Sequence, residues 1–161
     1  MSRARILVAD DKDTLRTLLV RILGEAYDVS EAPDGAAALR MAAARPFDVI
    51  LTDIKMPGAD GFEVLAAVKS TTPDTEVILM TAYASIERAV EAIKLGAYDY
   101  LAKPFEPDEV SLVVARAVER KRLREEAASL KQALADARGF QRMLGRSARM
   151  AEVFELLERA A

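Results

Sequence analysis

Apolar residues fall along this chain in two alternating rhythms. Five short runs, RILVA (5–9), YDVSEA (27–32), FDVILT (47–52), EVILMT (76–81) and AYDYLA (97–102), have the length and the aliphatic or aromatic content of strands. Between them the apolar positions spread to a spacing near 3.6, as in Leu15, Leu18, Leu19 and Ile22, or Ile86, Ala89, Val90 and Ile93. That spacing predicts amphipathic helices. Regular alternation of strand and helix predicts an α/β fold with a parallel sheet covered on both faces, because strands that are apolar throughout have no solvent face. The second run differs: Tyr27 and Val29 alternate with Asp28 and Ser30, the pattern of an edge strand.

With strand two at the edge, the expected arrangement is a flavodoxin-like doubly wound (βα)5 with strand order 2-1-3-4-5. Its switch point lies between strands one and three, where ligands bind outside the carboxyl ends of the strands. The residues just past each strand therefore matter. Asp10 and Asp11 come after the first, Asp53 after the third, Thr81 ends the fourth, and Lys103-Pro104 comes after the fifth. A lone Asp53 would read as a turn or cap residue, since Asp bonds nearby backbone N–H groups. Four strands delivering polar groups to one rim read as a site.

Composition narrows the chemistry. Among 161 residues there is no Cys and no His, which excludes disulfides, thiolate nucleophiles, Cys-based zinc sites and Ser-His-Asp or Cys-His catalysis. Three carboxylates a few ångströms apart repel unless a cation compensates them. Lys103 supplies one charge, and an oxygen-only donor set suits Mg²⁺, which keeps several waters and accepts phosphate oxygens. Metal, lysine and the Thr81 hydroxyl together fit phosphoryl transfer, which asks a protein mainly for positioning and charge neutralisation, with Asp53 placed as nucleophile. A net charge of −3, from 23 basic and 26 acidic residues, gives no overall field toward nucleic acid or anionic membrane. No apolar run approaches the ~20 residues of a membrane helix, and Met1 to Ala9 is too short for a signal peptide, so a soluble, cytoplasmic protein is expected.

The motifs VADD (8–11), LTDIKMPGADG (51–61), MTAYAS (80–85) and GAYDYLAKPF (96–105) resemble the receiver domain of two-component response regulators over about residues 3–120. The resemblance implies that Asp53 accepts a phosphoryl group from a phosphohistidine on a partner sensor histidine kinase. It also implies an acidic pair, Asp10 and Asp11, for Mg²⁺, with Asp11 and Asp53 as direct ligands and the backbone carbonyl of Lys55 completing the protein's share. Thr81 and Tyr100 match the family's switch pair, and Lys103-Pro104 its cis peptide, which would aim the ammonium at the site. Lys55 adds a second ammonium, expected to affect the lifetime of the phosphoryl group. Such a protein is a switch and not a turnover enzyme. A small Mg²⁺-dependent phosphohydrolase with an aspartyl nucleophile is an alternative, although its usual second acid two residues later is Lys55 here; a stand-alone receiver acting as a passive dimerisation module is another.

From Pro107 no helix breaker occurs until Gly139, which predicts one helix of roughly 45 Å at 1.5 Å per residue. Val110, Val113, Val114 and Ala117 would pack on the sheet, after which Leu123, Ala127, Leu130 and Leu134 form a short heptad seam suited to a dimer, helped by the helix 4–strand 5–helix 5 face. The basic run RKRLR (120–124) lacks interleaved aromatics and reads as a solvated face. Beyond Gly139, Ser147 is positioned to cap a helix with the stripe Met150, Val153, Phe154 and Leu157. This last segment is similar to the opening of the AAA+ ATPase domain of sigma-54-dependent activators of the NtrC type. The expected organisation is a receiver domain over 1–120, a helical linker over 121–138 and the opening of a truncated ATPase domain over 139–161. No G-x-x-x-x-G-K-[ST] occurs in the chain. DNA and sigma-54 RNA polymerase would then be reached only through domains absent from it.

Overall fold

The computed structural model describes residues 2–144 and 155–160. It contains β1 (Arg5–Ala9), α1 (Asp13–Gly24), β2 (Asp28–Ala32), α2 (Gly35–Ala44), β3 (Val49–Asp53), α3 (Gly61–Thr71), β4 (Glu76–Thr81), α4 (Ile86–Lys94), β5 (Asp99–Ala102) and α5 (Pro107–Leu144). All pairings are parallel and the order is β2-β1-β3-β4-β5, the flavodoxin-like arrangement expected from the edge character of the second run.

Side chains of a strand alternate between faces, so each apolar strand feeds two cores. Leu7, Ile50, Val77 and Leu79 turn to the face covered by Ala37 and Ala38 of α2, Val64, Leu65 and Val68 of α3, and Ala92 of α4. Ile6, Val8, Val49, Leu51, Ile78 and Met80 turn to the other, against Leu19 and Leu23 of α1 and Val110, Val113, Val114 and Ala117 of α5. Three helices begin on a side-chain cap: Asp34 accepts from Ala37 N–H at 2.7 Å, Asp60 from Glu63 N–H at 2.8 Å, and Ser85 from Arg88 N–H at 3.1 Å. Register then sets the carboxyl ends in line, with Ala9 opposite Thr52, Asp53 opposite Met80, and Thr81 opposite Ala102.

The chain divides into two compact units, one up to Lys121 and one from Arg122. In the first, the far end of the sheet is tied to α5 by Lys121, whose ammonium lies 2.7 Å from Asp48, and by Arg120, 3.7 Å from the buried carboxylate of Glu76. In the second, the seam residues Leu123, Leu130 and Leu134 are exposed. The helix does not stop at Gly139, as the sequence led us to expect, but continues to Leu144. A glycine ends a helix when it takes the left-handed conformation, and Gly139 has no positive φ. In a helix interior it costs only ~1 kcal/mol relative to Ala, which the flanking helix formers offset. Residues 155–160 are helical, with Leu156 and Leu157 exposed; Ser147, Met150, Val153 and Phe154 lie outside the described residues. No described helix is long and apolar enough to cross a membrane.

Candidate functional site

The carboxyl rim of the sheet gathers charge where the switch point requires it. Asp10, directly after β1, is fully buried; one of its oxygens accepts from Lys12 N–H and the other from the Lys103 ammonium, both at 2.8 Å. Asp53, the last residue of β3, is also buried: its Oδ1 accepts from Ile54 N–H at 2.8 Å, and its Oδ2 lies 3.4 Å from Lys103 Nζ. Asp11 stands in solvent beside them. Each of the three aspartates offers one oxygen, and these oxygens lie within 4.8 Å of one another. Lys103 is brought in by β5: its backbone N–H donates to the Thr81 carbonyl at 2.8 Å, and the Lys103-Pro104 peptide is cis.

Burial raises the pKa of Asp53 above its ordinary value of 3.8. Lys103 opposes that rise by attraction, while the neighbouring charge of Asp10 adds to it. At Asp53 burial thus outweighs the compensation that Lys103 gives. The donor set fits a hard divalent cation such as Mg²⁺: it is oxygen throughout, two members are held rigidly by the sheet, and the third opens to solvent that completes the coordination.

Thr81 ends β4 on the same rim, buried, with its hydroxyl accepting from Tyr83 N–H at 3.0 Å. Tyr100 sits opposite Leu79 in β5 and packs against the core, its hydroxyl buried without a hydrogen bond among the described residues. Lys55 is exposed, and its ammonium rests 4.0 Å from the ring centroid of Tyr83. The structure therefore brings together Asp10, Asp11, Asp53 and Lys103, sets Thr81 on the adjoining strand, and ties the Lys55 side chain to the loop after β4.

Two contributors were not evident in the sequence. Arg16 donates to the Asp10 carbonyl at 2.7 Å and to Glu31 at 3.0 Å, bracing the β1–α1 turn; the Glu31 hydrogen bond is the main reason its pKa is raised. Between Leu15 and Leu18 it reads as an ordinary solvated helix charge. Tyr83 lies in the MTAYAS motif, but its contact with Lys55 depends on two loops that are distant in sequence.

Residues 6–115 match the family model of the response regulator receiver domain. The regulatory protein AtoC of Escherichia coli is 43% identical over 131 residues, which are 81% of this chain and 28% of AtoC. The DNA-binding transcriptional regulator NtrC of Rhizobium meliloti is 36% identical over 160 residues, 99% of this chain and 32% of that regulator. The chain thus spans about a third or less of the curated relatives it matches. Among solved structures, NtrX of Brucella abortus in complex with ATP aligns with a TM-score of 0.74 and 36% identity over 80% of this chain and 30% of that one. A receiver domain from Clostridium thermocellum aligns with a TM-score of 0.70 and 33% identity over 74% of this chain and 98% of its own.

Proposed function

The chain belongs to the response regulator receiver family, and from that membership we propose that it is a phosphorylation switch, charged on Asp53 by a sensor histidine kinase in the cytoplasm. The observation that carries this reading is the Lys103 ammonium lying 2.8 Å from Asp10 and 3.4 Å from Asp53 within an oxygen-only triad. Asp10, Asp11, Asp53 and the backbone carbonyl of Lys55 would hold Mg²⁺. When bound, Mg²⁺ supplies positive charge for the phosphoryl oxygens and screens the carboxylates from one another. The Asp53 carboxylate attacks phosphorus, a new O–P bond forms, and the bond to the donor's imidazole nitrogen or acyl oxygen breaks with its electron pair leaving on the donor. Lys103 stays beside the incoming phosphoryl oxygens and neutralises the charge that builds on them.

Thr81 then turns its hydroxyl from Tyr83 N–H to the phosphoryl group. Tyr100, whose hydroxyl is buried without a hydrogen bond among the described residues, repacks with it, and the α4–β5–α5 face changes. Because α5 runs on past Lys121 into the exposed Leu123, Leu130 and Leu134 seam, that change would reach a homodimer and, through it, a downstream sigma-54-dependent AAA+ activator. Sedimentation with and without beryllofluoride and Mg²⁺ is expected to show a shift in dimerisation, and identical profiles would sink the coupling.

Incubation with labelled acetyl phosphate and Mg²⁺ tests the central reading. One stable label per chain is the expected result. Continuous turnover of phosphoesters would replace the switch by a phosphohydrolase, and absence of label would reduce the domain to a passive dimerisation module.

Lys55 and Tyr83 bridge the loops that leave the ends of β3 and β4, the first of which starts at the acceptor Asp53. Opening this bridge admits water to the acyl phosphate. Lys55→Ala and Tyr83→Ala are each expected to hasten loss of label roughly two- to fivefold, as an exposed cation–π contact of ~0.5–1 kcal/mol allows, and the double variant by no more than either alone. Equal lifetimes in wild type and Lys55→Ala would show that the bridge has no such role.

A further inference from the structure

The loop between β3 and α3 carries the Lys55 carbonyl, and it is held by two contacts of backbone on backbone. At its end, Gly61 N–H donates to the Ile54 carbonyl at 2.8 Å, and a Cβ on Gly61 would lie 2.5 Å from the Asp53 carbonyl oxygen. In its middle the loop meets the first residue of α2: Gly35 N–H donates to the Pro57 carbonyl at 3.2 Å, and a Cβ on Gly35 would lie 1.8 Å from the Ala59 carbonyl oxygen and 2.5 Å from its carbon. These neighbours are main chain, with no flexible side chain to turn aside. Ala59 is itself buried, so the loop has no slack toward its own interior.

We propose that Gly35, on an element that contributes no group to the acidic triad, is a positioning residue for the cation site: its missing side chain sets how closely the β3–α3 loop, and with it the Lys55 carbonyl, approaches Asp11 and Asp53. The proposal rests on the reading of this site as a Mg²⁺ site. Gly35 has no positive φ and follows its capping residue Asp34 at the start of α2, so its backbone needs no glycine. Alanine there suits the helix better than glycine does. The three atoms nearest to its Cβ all belong to Ala59 in the loop, which must retreat by roughly 1 Å or more to restore van der Waals contact. Mg²⁺ holds its ligands near 2.0–2.1 Å in a nearly ideal octahedron and tolerates such a shift poorly.

The test uses the whole 161-residue chain, with Gly24→Ala as control because a Cβ on Gly24 meets nothing within 4 Å. Calorimetric titration with Mg²⁺ is expected to give a dissociation constant about 10- to 100-fold higher for Gly35→Ala, the range seen when the support of a metal ligand is disturbed, and an unchanged one for Gly24→Ala. Without Mg²⁺ the melting temperature of Gly35→Ala should fall by several degrees, because main chain has to move to admit the Cβ, while acetyl phosphate labelling of the folded variant should recover at saturating Mg²⁺. Should Gly35→Ala not fold, the wild-type amide resonances decide: Gly35 is expected to titrate with Mg²⁺ together with Lys55, and Gly24 to stay still. Equal Mg²⁺ affinity in wild type and Gly35→Ala, or a Gly35 amide silent to Mg²⁺, overturns the positioning role while leaving the site intact. A wild type that binds no Mg²⁺ overturns the site reading itself.

Discussion

Asp53→Asn is expected to abolish labelling by acetyl phosphate and, in EDTA, to raise the melting temperature. The first effect is one of chemistry: an amide is not a nucleophile at phosphorus, and label should fall on the order of a hundredfold or more, to background. The second is one of burial. Asp53 is enclosed at the end of β3, and burial lifts its pKa above 3.8, with Asp10 pushing in the same direction and Lys103 against. A carboxyl group whose folded pKa is raised favours the fold in its protonated form. Its contribution is fully present below the unfolded value near 3.8 and is lost as pH rises through the folded value. At neutral pH the charged form therefore weakens the fold, and the neutral amide removes that load. Relief of this kind at strained functional sites is commonly about 0.5–2 kcal/mol, a few degrees in melting temperature for a domain of this size. The gap between variant and wild type should close as pH falls from 7 toward 4. A variant less stable than wild type at neutral pH would show that Asp53 is fully compensated without a cation.

Much of this site was legible because strand-end chemistry is written locally. Charges that directly succeed runs such as RILVA and FDVILT leave the core at a defined place, and parallel register puts all such places on one rim, so Asp10, Asp11, Asp53 and Lys103 could be grouped from the sequence. Contacts between distant elements were not legible. Arg16 beneath Asp10, Lys55 over Tyr83 and Gly35 against Ala59 each join segments whose approach depends on how helices settle on the sheet. The starts of strands were blurred for a related reason. Phe47 is buried and its carbonyl accepts from Thr75 Oγ at 2.8 Å, yet the ladder begins at Val49, because burial reaches beyond strand pairing. Gly139 misled in the opposite sense: a local breaker rule gave way to a long run of helix formers.

Lys103→Ala is expected to strengthen Mg²⁺ binding while slowing phosphoryl transfer, a pair of opposite effects that separates charge balance in the resting site from charge stabilisation in the reaction. In the resting site Lys103 is the cation that Asp10 and Asp53 share, at 2.8 and 3.4 Å. Its removal leaves a wholly buried carboxylate without its cation, which in EDTA should cost about 3 kcal/mol of stability, near the low end for a broken buried pair because Asp10 keeps its hydrogen bond from Lys12 N–H. It also removes the attraction that holds the Asp53 pKa down, so the stability of the variant should improve more steeply than that of wild type as pH falls from 7. The same loss makes the triad more negative, so Mg²⁺ should bind more tightly and raise the melting temperature of the variant by more than it raises that of wild type. Transfer goes the other way. Without an ammonium beside the phosphoryl oxygens, the rate of labelling at saturating Mg²⁺ should drop on the order of 100- to 1000-fold, the usual loss when one preorganised charge partner of a transition state is removed. Because Mg²⁺ is saturating, tighter binding cannot mask that loss. Weaker Mg²⁺ binding in the variant would mean that Lys103 orders the carboxylates instead of competing with the cation, and an unchanged labelling rate would remove it from the reacting centre.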